Sequence, residues 1–177
     1  MSSTAIAELV SSRLRDVPDF PEPGVVFKDV TPLLADGPAF SELVRDIAER
    51  WRDKVDVVVG IEARGFIFGA AIAHELGIGF VPVRKAGKLP GKTLGVSYDL
   101  EYGSARIELH EDSFVGGERV LLVDDVLATG GTSAAAWQLL EDAGAKVVAL
   151  ETVVELAFLH GRERLPGRDV RSVVVVN

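Results

Sequence analysis

The chain contains no cysteine, one methionine and three histidines among its 177 residues. The lack of cysteine excludes a disulfide framework and any thiolate metal site, and it suits a reducing compartment. His74, His110 and His160 are too far apart for the local ligand spacing of a zinc site. Positive charge is also in deficit: 19 Lys and Arg stand against 27 Asp and Glu, for a formal net charge of -8. Sequence-independent attraction to nucleic acid or to an anionic membrane is therefore disfavoured, and any bound anion must be held by a local site. No apolar run approaches the roughly 18 residues that a membrane-spanning helix needs. The N-terminus, "MSSTAIAELVSSRLRDV", alternates apolar with polar residues and lacks the continuous apolar centre of a signal peptide. The expectation is a cytoplasmic protein without a nucleic-acid or membrane partner.

Hydrophobic residues make up 47% and charged residues 26%, a globular composition, and the length suits one domain over residues 1–177. Apolar positions at Ala5, Ile6, Leu9, Val10 and Leu14 predict a helix over residues 4–15. The prolines of "DVPDFPEPGVVFKDVTPLL" then impose an extended crossing. A second amphipathic helix is predicted from Ala39 to Trp51. After it, short β-branched runs ("VDVVVG", "GFVPVR", "RVLLVDD", "KVVALETVVE") alternate with helical stretches ("IFGAAIAHELG", "TSAAAWQLLEDAGA"). "SYDLEYGSARIELHED" reads as a hairpin turning at Gly103, and "VRSVVVVN" as a further strand at an edge or an interface. Continuous apolar strands alternating with helices predict an α/β, doubly wound fold: a mostly parallel central sheet with helices on both faces. The first residues, about 1–38, form an N-terminal addition to it.

Ligands of such sheets bind outside the carboxyl ends of the strands. In "VLLVDDVLATGGT" a buried strand runs into Asp124 and Asp125 and then into a loop, Ala128 to Thr132. Gly130 and Gly131 let backbone N–H groups approach an anion, the next helix offers its positive end, and Thr129 and Thr132 add hydroxyl donors. No Lys follows the glycines, so this phosphate cradle is not a Walker A loop. The acids precede the cradle by the separation of a sugar's 5′-phosphate from its ring hydroxyls. They suit a ribose diol, or Mg²⁺ ligated by diol and phosphates. In "IEARGF", Arg64 beside Gly65 is a suitable fork for diphosphate oxygens. In "RKAGKLPGKTLG", Arg84, Lys85, Lys88 and Lys92 concentrate positive charge, and residues 84–95 read as a mobile lid that excludes water.

These segments resemble the phosphoribosyl-pyrophosphate signature of the type I phosphoribosyltransferases. "PDFPEPGVVFKDVTPLL" and "LEYG" resemble, more narrowly, the members of that family that use adenine. The resemblance implies transfer of the 5-phosphoribosyl group from phosphoribosyl pyrophosphate to N9 of adenine, giving AMP and pyrophosphate, with Mg²⁺ as cofactor, in a homodimer. It also implies a cis peptide between Glu62 and Ala63. Ribose 5-phosphate would then be held by Asp124, Asp125 and Ala128, Thr129, Gly130, Gly131 and Thr132. Pyrophosphate would lie on Arg64, Arg84, Lys85 and Lys88, with Arg84 able to reach the neighbouring subunit's site. Adenine would lie under a hood at Val26, Phe27 and Lys28, with Val126 beneath it and Tyr102 beside it. Glu101, Asp125 and Arg64 are the implied catalytic residues, Glu101 as acid/base or as electrostatic stabiliser. Lys28 stands where the family commonly has Arg, so readout of the base by backbone groups is favoured over a bidentate side chain. Transfer to another purine and a non-catalytic nucleic-acid regulator are the rival readings. The hood segment opposes the first, and the net charge of -8 opposes the second.

Overall fold

Strand β3 (Val57–Ile61) is buried along its whole length, because it has a strand on each edge and a helical layer on each face. It pairs in parallel with β4 (Gly79–Lys85) and with β7 (Arg119–Leu127). This is a computed structural model, and it describes residues 3–19, 23–24, 26–99 and 103–177. Outward from β7, β8 (Lys146–Leu156) and β9 (Val170–Val176) continue the parallel sheet. On the other side, the antiparallel hairpin β5 (Thr93–Asp99) and β6 (Ser104–His110) completes seven strands in the order β5-β6-β4-β3-β7-β8-β9. The C-terminal segment is thus an edge strand.

Side chains alternate across a strand, and that period sorts the apolar runs onto two cores. Val58, Leu121 and Val123 face helices α1 (Ser3–Ser11), α3 (Gly37–Trp51) and α4 (Gly65–Leu76), packing with Ile6, Leu43, Ile47 and Phe68. Val57, Val59, Val120 and Leu122 face α5 (Gly131–Asp142), packing with Trp137, Leu139 and Leu140 and with Ile107 and Leu109 of the hairpin. Each fully buried Leu, Ile or Phe contributes roughly 1.5–3 kcal/mol relative to exposure. Helix α3 begins where Asp36 accepts a hydrogen bond from the Ala39 N–H (3.1 Å) and Pro38 enters the first turn, where its missing N–H costs nothing.

The first helix is shorter than its apolar spacing predicts. It stops at Ser11, and Arg15–Pro18 forms β1, antiparallel to β2 (Val26–Asp29). The ladder takes the backbone groups that another helical turn would need. Asp29 fastens the end of this ribbon, accepting from the Thr31 N–H (2.9 Å), the Thr31 hydroxyl (2.8 Å) and Arg15. The backbone N–H of Thr31 is the main reason that its carboxyl is lowered to about 2. A short helix, α2 (Thr31–Ala35), leads from the ribbon into α3.

Candidate active site

The register Val57↔Val120 through Gly60↔Val123 brings the carboxyl ends of β3 and β7 side by side. The segments leaving them, Glu62–Arg64 and Asp124–Ser133, enclose a cavity of about 310 Å³. Two glycines make the approach possible. A methyl group on Gly65 would lie 2.8 Å from the Val123 carbonyl and 3.1 Å from Asp124 Oδ1. One on Gly60 would lie 2.7 Å from the Gly65 carbonyl. Any side chain at either position would push α4 off the strand ends. The peptide between Glu62 and Ala63 is cis, where the family resemblance puts one.

Asp124 and Asp125 both face the cavity. Asp124 Oδ1 accepts the Asp125 N–H at 2.9 Å. Burial, and then the neighbouring Asp125 charge, push the Asp124 carboxyl well above the usual range. Asp125 is buried, and its Oδ2 lies 2.5 Å from Arg64 Nε as an ion pair without hydrogen-bond alignment. The same guanidinium lies over the ring of Phe27, 5.3 Å from its centroid. Arg64 therefore bridges the acids and the N-terminal ribbon, two regions far apart in sequence.

The glycine loop opens into the same cavity. Gly130 has φ +79° and precedes the first turn of α5, and Ala128, Thr129, Gly130, Gly131 and Thr132 all line the space. Thr129 is exposed, whereas the Thr132 hydroxyl donates to the Tyr98 hydroxyl at 3.1 Å. Two 3₁₀ turns follow β8, Ala157–Leu159 and Gly161–Arg164, and the second holds the loop from behind. A methyl group on Gly161 would fall 2.1 Å from the Ala128 carbonyl, and one on Gly130 would fall 2.2 Å from the Gly161 carbonyl. The two glycines interlock.

Arg84 and Lys85 lie in β4 and residues 93–95 in β5, so the segment between these strands is 86–92. Arg84 donates to both oxygens of Glu62 (3.3 and 3.2 Å) and to the Lys88 carbonyl (3.1 Å), while Glu62 also accepts the Lys85 N–H. The Arg84 bonds are the main cause of a lowered Glu62 carboxyl. In the ribbon, Val26 is exposed, Phe27 is half-buried, and Lys28 Nζ is 2.5 Å from Asp16 Oδ1. The Lys28 side chain is thus turned along the ribbon, and Val126 lines the cavity. Glu101 and Tyr102 lie outside the described residues. Glu62, Tyr98 and Gly161 carry no local signal, because each acts through a partner distant in sequence.

Residues 33–176 match the family described as phosphoribosyl transferase domain. The adenine phosphoribosyltransferase of Salinispora tropica is 56% identical, over 99% of this chain and 94% of its own. The chain belongs to the phosphoribosyl transferase family, with the adenine phosphoribosyltransferases. Among solved phosphoribosyltransferase structures, the adenine enzyme of Thermoanaerobacter pseudethanolicus superposes with a TM-score of 0.92 at 46% identity, covering 96% of this chain and 99% of that one. The Saccharomyces cerevisiae enzyme, complexed with an imino-altritol bisphosphate and adenine, gives 0.91 at 39% identity, with 96% and 99% covered.

Proposed function

We infer that this chain is an adenine phosphoribosyltransferase, a pentosyltransferase that converts adenine and phosphoribosyl pyrophosphate into AMP and pyrophosphate. The observation that carries the reading is the single cleft shared by the acid pair and the glycine loop. N–H groups of Ala128–Thr132 hold the sugar's 5′-phosphate at the positive end of α5. Asp124 and Asp125 accept the ribose hydroxyls. As the bond from C1 to pyrophosphate breaks, positive charge grows on the sugar and negative charge on the leaving group, so catalysis needs anions near one and cations near the other. Asp125 serves the sugar. Arg64, Arg84, Lys85 and Lys88 serve the pyrophosphate, Arg64 turning from Asp125 to the diphosphate when substrate arrives.

Val26, Phe27, Val126 and the backbone at Lys28 enclose the adenine ring; for Tyr102 beside the ring and Glu101 as the carboxylate near the base, the support is the family resemblance alone. Residues up to about 38 act as the hood. The loop of residues 86–92, with its flanking strand ends, acts as the lid that keeps water from the cation-like sugar. Among the described residues, no cluster of three or more His, Asp or Glu could ligate a metal. The acid pair fits Mg²⁺ that the substrate brings, held through water or the ribose hydroxyls, and bound Mg²⁺ would supply charge neutralisation at the diphosphate. Homodimeric assembly and a cytoplasmic location belong to the same reading; among the described residues, no helix is long and apolar enough to cross a membrane. The direct test supplies Mg²⁺, phosphoribosyl pyrophosphate and adenine, hypoxanthine, guanine or uracil in turn. Pyrophosphate release with adenine alone is expected, and release with hypoxanthine or guanine but not adenine would overturn the reading.

A further inference from the structure

The phosphate cradle has no cation of its own: Ala128–Thr132 contains neither Lys nor Arg, and the charges nearest in sequence are Asp124 and Asp125. The turn Gly161–Arg164 supplies one from the opposite side. A methyl group built on Gly131 would lie 3.9 Å from Arg164 Nη1, so this guanidinium stands beside the first residue of α5. Arg164 is exposed, and among the described residues its guanidinium has no hydrogen-bond or ion-pair partner. Its backbone is nevertheless fixed. On one side Gly161 is interlocked with Ala128 and Gly130. Next to it, Arg162 pairs with both oxygens of Glu155 and donates to the Val170 carbonyl at 2.6 Å. On the other side, Leu165 is buried among Trp137, Leu139 and Val170. The backbone around Arg164 is tied into the protein on both sides, whereas its guanidinium is uncommitted beside Gly131.

We propose that Arg164 binds the 5′-phosphate of the sugar, completing a subsite whose front is the glycine loop and whose back is the 3₁₀ turn. This rests on the reading of Ala128–Thr132 as the 5′-phosphate cradle. A guanidinium fork added to backbone N–H donors makes a charge-assisted contact to phosphate oxygens. It also offsets the repulsion between that phosphate and the acid pair. The substrates that carry the group are phosphoribosyl pyrophosphate and AMP; adenine and pyrophosphate lack it.

The test measures KM for all four in the forward and reverse directions for wild type, Arg164→Gln, Arg164→Lys and, as a cradle variant that displaces the loop backbone, Gly130→Ala. With Arg164→Gln, KM for AMP and for phosphoribosyl pyrophosphate should rise about tenfold, while KM for adenine and pyrophosphate and the melting temperature stay unchanged. Arg164→Lys should recover most of the loss, because a point charge still reaches the phosphate. A rise for pyrophosphate as large as for AMP would place Arg164 at the other end of the substrate and overturn the proposal. So would four parallel losses with a lowered melting temperature, which mark a structural role. If Gly130→Ala weakens AMP and Arg164→Gln does not, the cradle stands and the proposal fails. If neither does, the cradle reading fails with it.

Discussion

Replacing Gly161 with Ala tests whether the turn behind the glycine loop sets catalytic geometry. The added methyl would stand 2.1 Å from the Ala128 carbonyl oxygen and 2.9 Å from the Gly130 nitrogen, both backbone atoms with no rotamer in which to escape. To recover an ordinary contact of 3.4 Å, the loop or the turn must retreat by about 1.3 Å. The turn is pinned by Arg162 to Glu155 and by buried Leu165. The loop faces an open cavity and should yield instead. A misplacement near 1 Å can cost on the order of 100-fold in rate, so kcat/KM for phosphoribosyl pyrophosphate should fall by roughly that factor. Steady-state kinetics at saturating adenine, paired with thermal melts, read the effect. Gly130→Ala meets the same clash from the other side and should share the phenotype. Gly167→Ala is the control: its φ is +73° but nothing lies within 4 Å, so it should lose about 1 kcal/mol of stability through backbone strain and keep its activity. A Gly161→Ala enzyme within twofold of wild type, melting no lower than Gly167→Ala, would refute the interlock.

Asp125→Asn should reduce transfer far more than AMP affinity, since its charge matters most as the sugar becomes cationic; equal losses in kcat and in AMP binding by calorimetry would assign it to ground-state binding. Asp124→Asn should stabilise the fold at neutral pH by on the order of 1 kcal/mol while lowering activity. The folded Asp124 carboxyl is raised, so its contribution is intact below the unfolded value and is lost as pH rises through the folded one. The gain should therefore be present near pH 7 and vanish below about pH 4 in melts across pH, and a variant less stable than wild type at pH 7 would contradict the buried-charge argument. Asp29→Asn has the opposite sign: the carboxyl is lowered to about 2, so wild type should exceed the variant by roughly 2 kcal/mol above pH 4. That difference should close as pH falls toward 2, and a difference independent of pH would show that the carboxylate charge is irrelevant to the ribbon.

The parallel sheet was legible because β3, β7 and β8 carry continuous apolar stretches (VVVGI, VLLV, VVAL), as strands covered on both faces require. That the acid pair and the glycine loop share one cavity was legible for a related reason: strand, acids, glycines and helix are consecutive, so their neighbourhood is written within one stretch. What escaped is long-range. Thr132 meets Tyr98 across 34 residues and Arg84 meets Glu62 across 22, and no local pattern encodes either. Leu14 continues the apolar period of α1, yet the helix stops at Ser11 and the β1–β2 ladder starts at Arg15, an instance of tertiary pairing overriding local spacing. Lys28 could be paired with Asp16 only once the register Asp16↔Lys28 was known.

The most direct measurement is a crystal structure with AMP bound. The 5′-phosphate should lie within hydrogen-bond distance of the N–H groups of Gly130, Gly131 and Thr132, with the ribose hydroxyls on Asp124 and Asp125 and Arg64 turned away from Asp125. A phosphate seated on Arg84 and Lys88, with the ribose facing away from both aspartates, would contradict the shared-cleft assignment at its root.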